Sequence, residues 1–321
     1  MPLAPDGAAS IMSEPTLHHL DCPGSTGQHR LAWWQWGAVQ AAHVIVCVHG
    51  LMRQGRDFDV LARALAAGAG AQGMGVRVVC PDVVGRGQSA WLQDPMGYQY
   101  PTYVADMLTL LARLHAQAPI AALDWVGTSM GGIIGMLVAG TPGLPLPVAP
   151  GRMVLNDVGP TIEWLAIQRI QQYVGKGPER FASVEAAAAY LRALSTGFGP
   201  ISDADWLVLT RPMLQALPEG GWRLCSDPAI AAPLAGVTAE ALAQGDAILW
   251  QAYEQIKAQV LLLRGADSDL LAPATARRMG QCGPRARLIE FAGVGHAPML
   301  IADDQVRAVT DFLLPAADAR P

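Results

Sequence analysis

The sequence predicts an α/β protein, a mostly parallel sheet covered by helices on both faces and interrupted once by a helical insertion. Three observations predict it. Short runs that are apolar on both faces, such as His43 to Val48 and Val76 to Cys80, alternate with amphipathic stretches of helical period. From Thr161 to Lys257 that alternation stops, giving way to helical pieces broken by Gly177-Pro178, Gly199-Pro200 and Gly220-Gly221. A single Gly127-Thr128-Ser129-Met130-Gly131 stands between two apolar runs, as at a sharp strand-to-helix turn.

Composition narrows the function classes. The 321 residues suffice for a full core and an insertion, and 51% hydrophobic against 15% charged residues speaks against disorder. A net charge of −5 without a basic block argues against a nucleic-acid partner. Cys22, Cys47, Cys80, Cys225 and Cys282 are scattered without a C-x-x-C, so neither a disulfide framework nor a zinc site is expected. No charged and apolar leader and no run of membrane-spanning length is legible, so a cytoplasmic protein without a membrane partner is expected.

Taken in order, Met1 to Pro15 reads as a loose arm. Thr16 to Leu20 and Arg30 to Trp36 read as two antiparallel strands joined through Pro23-Gly24-Ser25. His43 to Val48 is a central strand ending in His49-Gly50-Leu51, and Phe58, Leu61, Ala62 and Leu65 mark a helix after it. Val76 to Cys80 leads into Asp82-Val83-Val84-Gly85-Arg86-Gly87-Gln88-Ser89. Pro101 opens a helix with an apolar stripe of Val104, Met107, Leu108, Leu111 and Leu114. Met153 to Leu155 is a buried strand before Asn156-Asp157. After the insertion come a strand at Gln259 to Leu263, a short helix at Ala274 to Met279, and a last strand at Arg287 to Phe291. Gly295-His296 and a closing helix end the pattern.

Ser129, Asp269 and His296 each follow a strand, at the carboxyl edge where open α/β sheets bind ligands. With His49-Gly50, the Asp82-to-Ser89 turn, the Ser129 elbow, the Gly265-to-Asp269 loop and Gly295-His296 in that order, the chain resembles the α/β-hydrolase superfamily from about Arg30 to Leu314. The resemblance implies an eight-stranded sheet, with a core at 16–160 and 258–321 and a helical cap at 161–257.

The resemblance also implies a Ser-Asp-His triad. Ser129 is the nucleophile and His296 its base, since a serine hydroxyl needs a proton acceptor and imidazole titrates near neutrality. Asp269, four residues before Pro273, is favoured as the acid over Asp267, with Asp157 third. The backbone N–H groups of Leu51 and Met130 would hold the oxyanion. His49 reads as a loop-shaping residue, Asp82, Arg86 and Ser89 as fixing their turn, and Arg53 as pairing with Asp57 or Asp59.

The expected function is hydrolysis of carboxylic esters with small to medium acyl or aryl groups, through an acyl-enzyme and with neither cofactor nor metal. The expected partner is a small-molecule ester. Carbon–carbon hydrolysis of ring-cleavage products and small-molecule reception are the alternatives. Most of the insertion's aromatic residues are expected to form its own small core, and a helical cap over the serine would give a largely apolar pocket.

Overall fold

The computed structural model describes residues 14–315. Of the expected N-terminal arm, only Glu14 and Pro15 lie within the described residues. An antiparallel pair, β1 (Thr16–Gly24) and β2 (Gly27–Gly37), opens the chain, turning at Ser25-Thr26. Then follow β3 (His43–Val48), α1 (Asp59–Ala71), β4 (Val76–Asp82), α2 (Tyr100–Gln117), β5 (Ala122–Thr128), α3 (Met130–Gly140) and β6 (Arg152–Asn156).

The insertion begins with α4 (Trp164–Tyr173), α5 (Val184–Leu194) and α6 (Asp203–Thr210). A hairpin of β7 (Leu214–Ala216) and β8 (Trp222–Leu224) precedes α7 (Ala231–Ala235) and α8 (Ala239–Gln255). The alternation then resumes with β9 (Gln259–Gly265), α9 (Pro273–Met279), β10 (Arg287–Phe291) and α10 (Asp303–Leu313).

Eight strands form one sheet in the order β1-β2-β4-β3-β5-β6-β9-β10, parallel from β4 onward, with β1 and β2 antiparallel. Successive side chains of a strand face opposite ways, so each central strand feeds two cores. Val44, Val46 and Val48 of β3 join α2 and α3 side chains such as Leu111 and Ile134. Ile45 and Cys47 instead meet Leu61 and Leu65 of α1 and Val309 and Leu313 of α10. The same alternation in β9 sends Leu262 one way and Leu261 and Leu263 the other. This two-sided demand is why these runs are continuously apolar.

Two features of the insertion differ from the sequence expectation. Gly220 and Gly221, read as a helix break, have φ of 87° and 78° and lead into β8 of a small hairpin. Helix α8 lies against the core: a side chain at Gly140 of α3 would strike the Ala252 carbonyl, and the Tyr253 hydroxyl donates to the Met279 carbonyl at 2.7 Å. The α2 stripe is also rotated from the one expected, with Tyr103, Met107, Leu110, Leu111 and Leu114 buried.

Candidate active site

Ser129 stands between β5 and α3 with φ 51° and ψ −118°, a strained conformation for a residue with a side chain. The sequence permits it through the flanking glycines. A Cβ at Gly131 would collide with the Val48 carbonyl, and one at Gly127 with the Gly131 carbonyl. The Ser129 N–H donates to the Asn156 carbonyl at 3.0 Å, tying the elbow to the end of β6.

His296, in the loop after β10, places Nε2 2.9 Å from Ser129 Oγ. Its Nδ1 lies 2.7 Å from Asp157 Oδ2. This corrects the expectation for the acid: Asp157 stands against the imidazole, and Asp269 does not. Asp157 follows β6, the immediate neighbour of β5, whereas Asp269 follows β9, one strand further out. Both loops lie between the serine strand β5 and the histidine strand β10, so local contacts decide between the two aspartates.

Asp157 adopts φ 53°, which aspartate tolerates better than most residues, and is fully buried. Its Oδ1 accepts the Gly265 N–H at 2.9 Å, and Oδ2 accepts the Ser268 hydroxyl at 2.6 Å. Asp269 is half exposed and turned outward to Arg169 of α4, accepting from Nε at 2.7 Å and from the second guanidinium nitrogen at 3.0 Å. Asp267 is exposed on the cavity wall.

Leu51 and Met130, the expected oxyanion donors, follow Gly50 and Ser129 in sequence. Among the described residues neither N–H meets an acceptor, and Met130 opens α3, where the first N–H groups of a helix are free. Arg86, completely buried, touches both residues: its Nε donates to the Leu51 carbonyl at 2.9 Å, and a terminal nitrogen lies 3.8 Å from Met130 sulfur. Its remaining donors meet the Val84 carbonyl and the Tyr103 hydroxyl.

His49 accepts the Val83 N–H through Nε2 at 2.9 Å and donates from Nδ1 to the Gly50 carbonyl at 2.7 Å. Burial pushes its pKa down to about 3, so the ring is neutral and serves as a strut. Asp82 accepts the Gly55 and Gln88 N–H groups at 2.7 and 2.8 Å, and burial raises its pKa to about 6. Arg53 pairs with Asp57 through two nitrogens at 2.5 and 2.8 Å.

Ser129, His296, His49, Leu51 and Arg53 line a cavity of about 1240 Å³ beneath the insertion. Its wall is more charged than the apolar pocket expected, because Arg53, Arg169, Arg180 and Arg223 all reach it. Trp164, Trp206, Trp222 and Trp250 do not line it; Trp206 instead stacks on Phe198, with centroids 6.0 Å apart. The insertion touches the His296 loop through Gly197, whose carbonyl accepts the Gly295 N–H at 2.6 Å.

Sequence reasoning missed Ser268 and Asn156 as supports. Asn156 donates to Thr128 Oγ1 at 3.0 Å and to the Pro298 carbonyl at 2.7 Å, bracing the serine and histidine loops together. The Asn156-Asp157 pair at the end of a buried strand was the available signal. Away from this site, Cys22, His29 and Asp106 bring possible metal-ligand atoms within 4.8 Å of one another. Their polar groups already serve each other, with His29 Nε2 at 2.8 and 3.0 Å from the two Asp106 oxygens. No helix among the described residues is long and apolar enough to cross a membrane.

Comparison with known proteins agrees with this architecture. A 3-hydroxybutyrate-oligomer hydrolase of Cupriavidus necator is 41% identical over 305 residues, covering 94% of this chain and 99% of that protein. A 2-(acetamidomethylene)succinate hydrolase of Mesorhizobium japonicum is 25% identical over 233 residues, covering 71% of this chain and 76% of that protein. The crystal structure of an alpha/beta hydrolase from Novosphingobium aromaticivorans superposes with a TM-score of 0.77 at 30% identity, covering 94% of this chain and 98% of that one. Residues 45–311 match the profile of the alpha/beta hydrolase family. With the sheet order, the strained serine and the profile in agreement, the chain belongs to the α/β-hydrolase family.

Proposed function

We propose that the protein is a serine hydrolase of carboxylic esters, acting on short oligoesters of 3-hydroxy acids through an acyl-enzyme. The observation that carries the chemistry is the hydrogen-bonded chain from Ser129 through His296 to Asp157. The substrate class draws on the near full-length similarity to the 3-hydroxybutyrate-oligomer hydrolase.

In this mechanism Ser129 Oγ attacks the ester carbonyl as His296 Nε2 takes its proton. Asp157 keeps the Nδ1–H in place and stabilises the imidazolium that forms. The Leu51 and Met130 N–H groups receive the oxyanion, with Arg86 fixing both residues from behind. His296 then gives its proton to the leaving alkoxide oxygen, which departs as the alcohol. Water, deprotonated by the same nitrogen, adds to the acyl-enzyme, and His296 returns the proton to Ser129 Oγ as the acid leaves. One ester and one water become one acid and one alcohol. The elements from α4 to α7 act as the cap that bounds the substrate.

The test is hydrolysis of linear 3-hydroxybutyrate trimer and of p-nitrophenyl butyrate by the wild type and by Ser129→Ala. The wild type turns over both, and the variant loses at least about 10⁴-fold in kcat. A phosphonate ester adds its mass at Ser129. Wild-type rates in Ser129→Ala would overturn the assignment of the nucleophile. Turnover of the aryl ester without the trimer would overturn the substrate class.

A further inference from the structure

A linear oligoester of hydroxy acids ends in a free carboxylate, so an enzyme for it has a reason to present a cation away from the serine. Four arginines reach the cavity. Arg53 is already bound through two nitrogens to Asp57, and Arg169 likewise to Asp269. Arg180 touches the Glu219 carbonyl at 3.4 Å and is flanked in sequence by Glu179, and both of these glutamates share the wall.

Arg223 differs from the other three. Its Nε and one terminal nitrogen donate to the neutral Gln215 side chain at 3.1 and 2.8 Å. Its guanidinium lies 5.5 Å from the Trp91 ring centroid. Among the described residues no carboxylate pairs with it. The group is thus held in position by an amide and an aromatic face while its charge stays uncompensated.

We propose that Arg223, backed by Trp91 and Gln215, is a subsite for the terminal carboxylate of the oligoester. The proposal rests on the oligoester reading given above. Backbone contacts place this subsite over the loop after β4: the Asp227 N–H donates to the Gly85 carbonyl at 2.8 Å, and Ser226 bridges to Arg86. Ser129 follows β5, which lies two strands from β4, so the loop beneath this subsite and the serine loop stand about 10 Å apart along the sheet edge. Each hydroxyacyl unit adds four main-chain bonds, about 5 Å when extended. A carboxylate held above the β4 loop therefore calls for two or more units between it and the cleaved ester. Trimers and tetramers fit this better than the dimer.

The experiment compares kcat/KM for 3-hydroxybutyrate dimer, trimer and tetramer, each as the free acid and as its methyl ester, in low salt. The wild type favours the free acid of the trimer or tetramer by roughly three- to tenfold, the size expected of an ion pair open to solvent. In Arg223→Gln that acid-to-ester ratio falls to about one through a higher KM for the acid, and Arg223→Lys recovers part of it. A purely structural arginine would move both substrate forms together and leave the ratio unchanged. A wild-type ratio near one, or an unchanged ratio in Arg223→Gln, overturns the subsite while the oligoester reading stands. If neither form is cleaved although p-nitrophenyl butyrate is, the oligoester reading fails and the subsite falls with it.

Discussion

Asp157 and Asp269 are both aspartates in loops at the carboxyl edge of the same sheet, yet their surroundings are opposed. Asp157 is fully buried and accepts from a backbone amide, a hydroxyl and the imidazole. Asp269 is half exposed and spends both oxygens on Arg169. A carboxylate fixed by several donors costs little reorganisation when charge appears on its partner, which is what stabilising an imidazolium requires. An exposed ion pair is screened by water and contributes little. Asp157 is therefore held as the proposed acid role requires, while Asp269 belongs to a replaceable pair at the rim.

The largest expected effect separates the two aspartates directly. Asp157→Asn removes the charge opposite His296 and offers Nδ1 the wrong partner, so kcat on p-nitrophenyl butyrate falls about 10³- to 10⁴-fold. The measurement is steady-state kinetics near neutral pH, with circular dichroism to confirm folding. A drop below tenfold would return the acid role to another residue.

How much of this was legible in the sequence depended on how local each signal was. Ser129 and His296 are marked by glycines beside them, which the backbone needs for its turn and for close approach, so motif and geometry coincide. The acid is different. Choosing Asp157 over Asp269 requires knowing that Gly265 and Ser268, over 100 residues later, hold Asp157 beside His296 and that Arg169, 100 residues before Asp269, claims the latter. Neither fact lies in a local pattern. The β7–β8 hairpin was hidden because three-residue strands are too short to show alternation. Helix α8 was legible as a helix, but its docking on α3 depends on Gly140, whose missing side chain gives no periodic signal.

A second test asks whether the floor's polar groups are as firmly buried as the comparison requires. His49 is the strut between the Gly50 and Val83 backbones, with its pKa pushed down to about 3 by burial. The folded protein keeps this ring neutral where the unfolded chain, near 6.5, takes up a proton. His49 therefore contributes its full stability above pH 6.5 and loses it as pH falls toward 3, by up to about 1.4 kcal/mol per pH unit. Asp82 acts in the opposite sense. Its pKa, raised to about 6, makes the folded state bind the extra proton between pH 6 and 4, which offsets part of the loss. Urea unfolding of His49→Gln between pH 7 and 4.5 should lack the His49 slope and so follow a flatter or inverted pH dependence than the wild type. Parallel curves for the two proteins would show that His49 exchanges protons with water in the folded state.

The smallest expected effect lies at the rim. Asp269→Asn leaves Arg169 without its charge partner but does not touch the hydrogen bonds among Ser129, His296 and Asp157. Because the side chains of Arg169 and Asp269 are 39% and 51% exposed, water takes over the solvation each loses. The pair nonetheless joins α4 of the insertion to the loop after β9, so its loss loosens one attachment between cap and core. Turnover of p-nitrophenyl butyrate should change by less than about threefold, and stability by no more than about 1 kcal/mol. Raising the salt concentration should narrow even that difference, since screening weakens the wild-type pair toward the variant. Urea midpoints and kcat/KM for both proteins at low and high salt decide the matter. A hundredfold loss in kcat that salt does not change would mean that Asp269 serves His296 directly during turnover, and the contrast between the two aspartates would have to be redrawn.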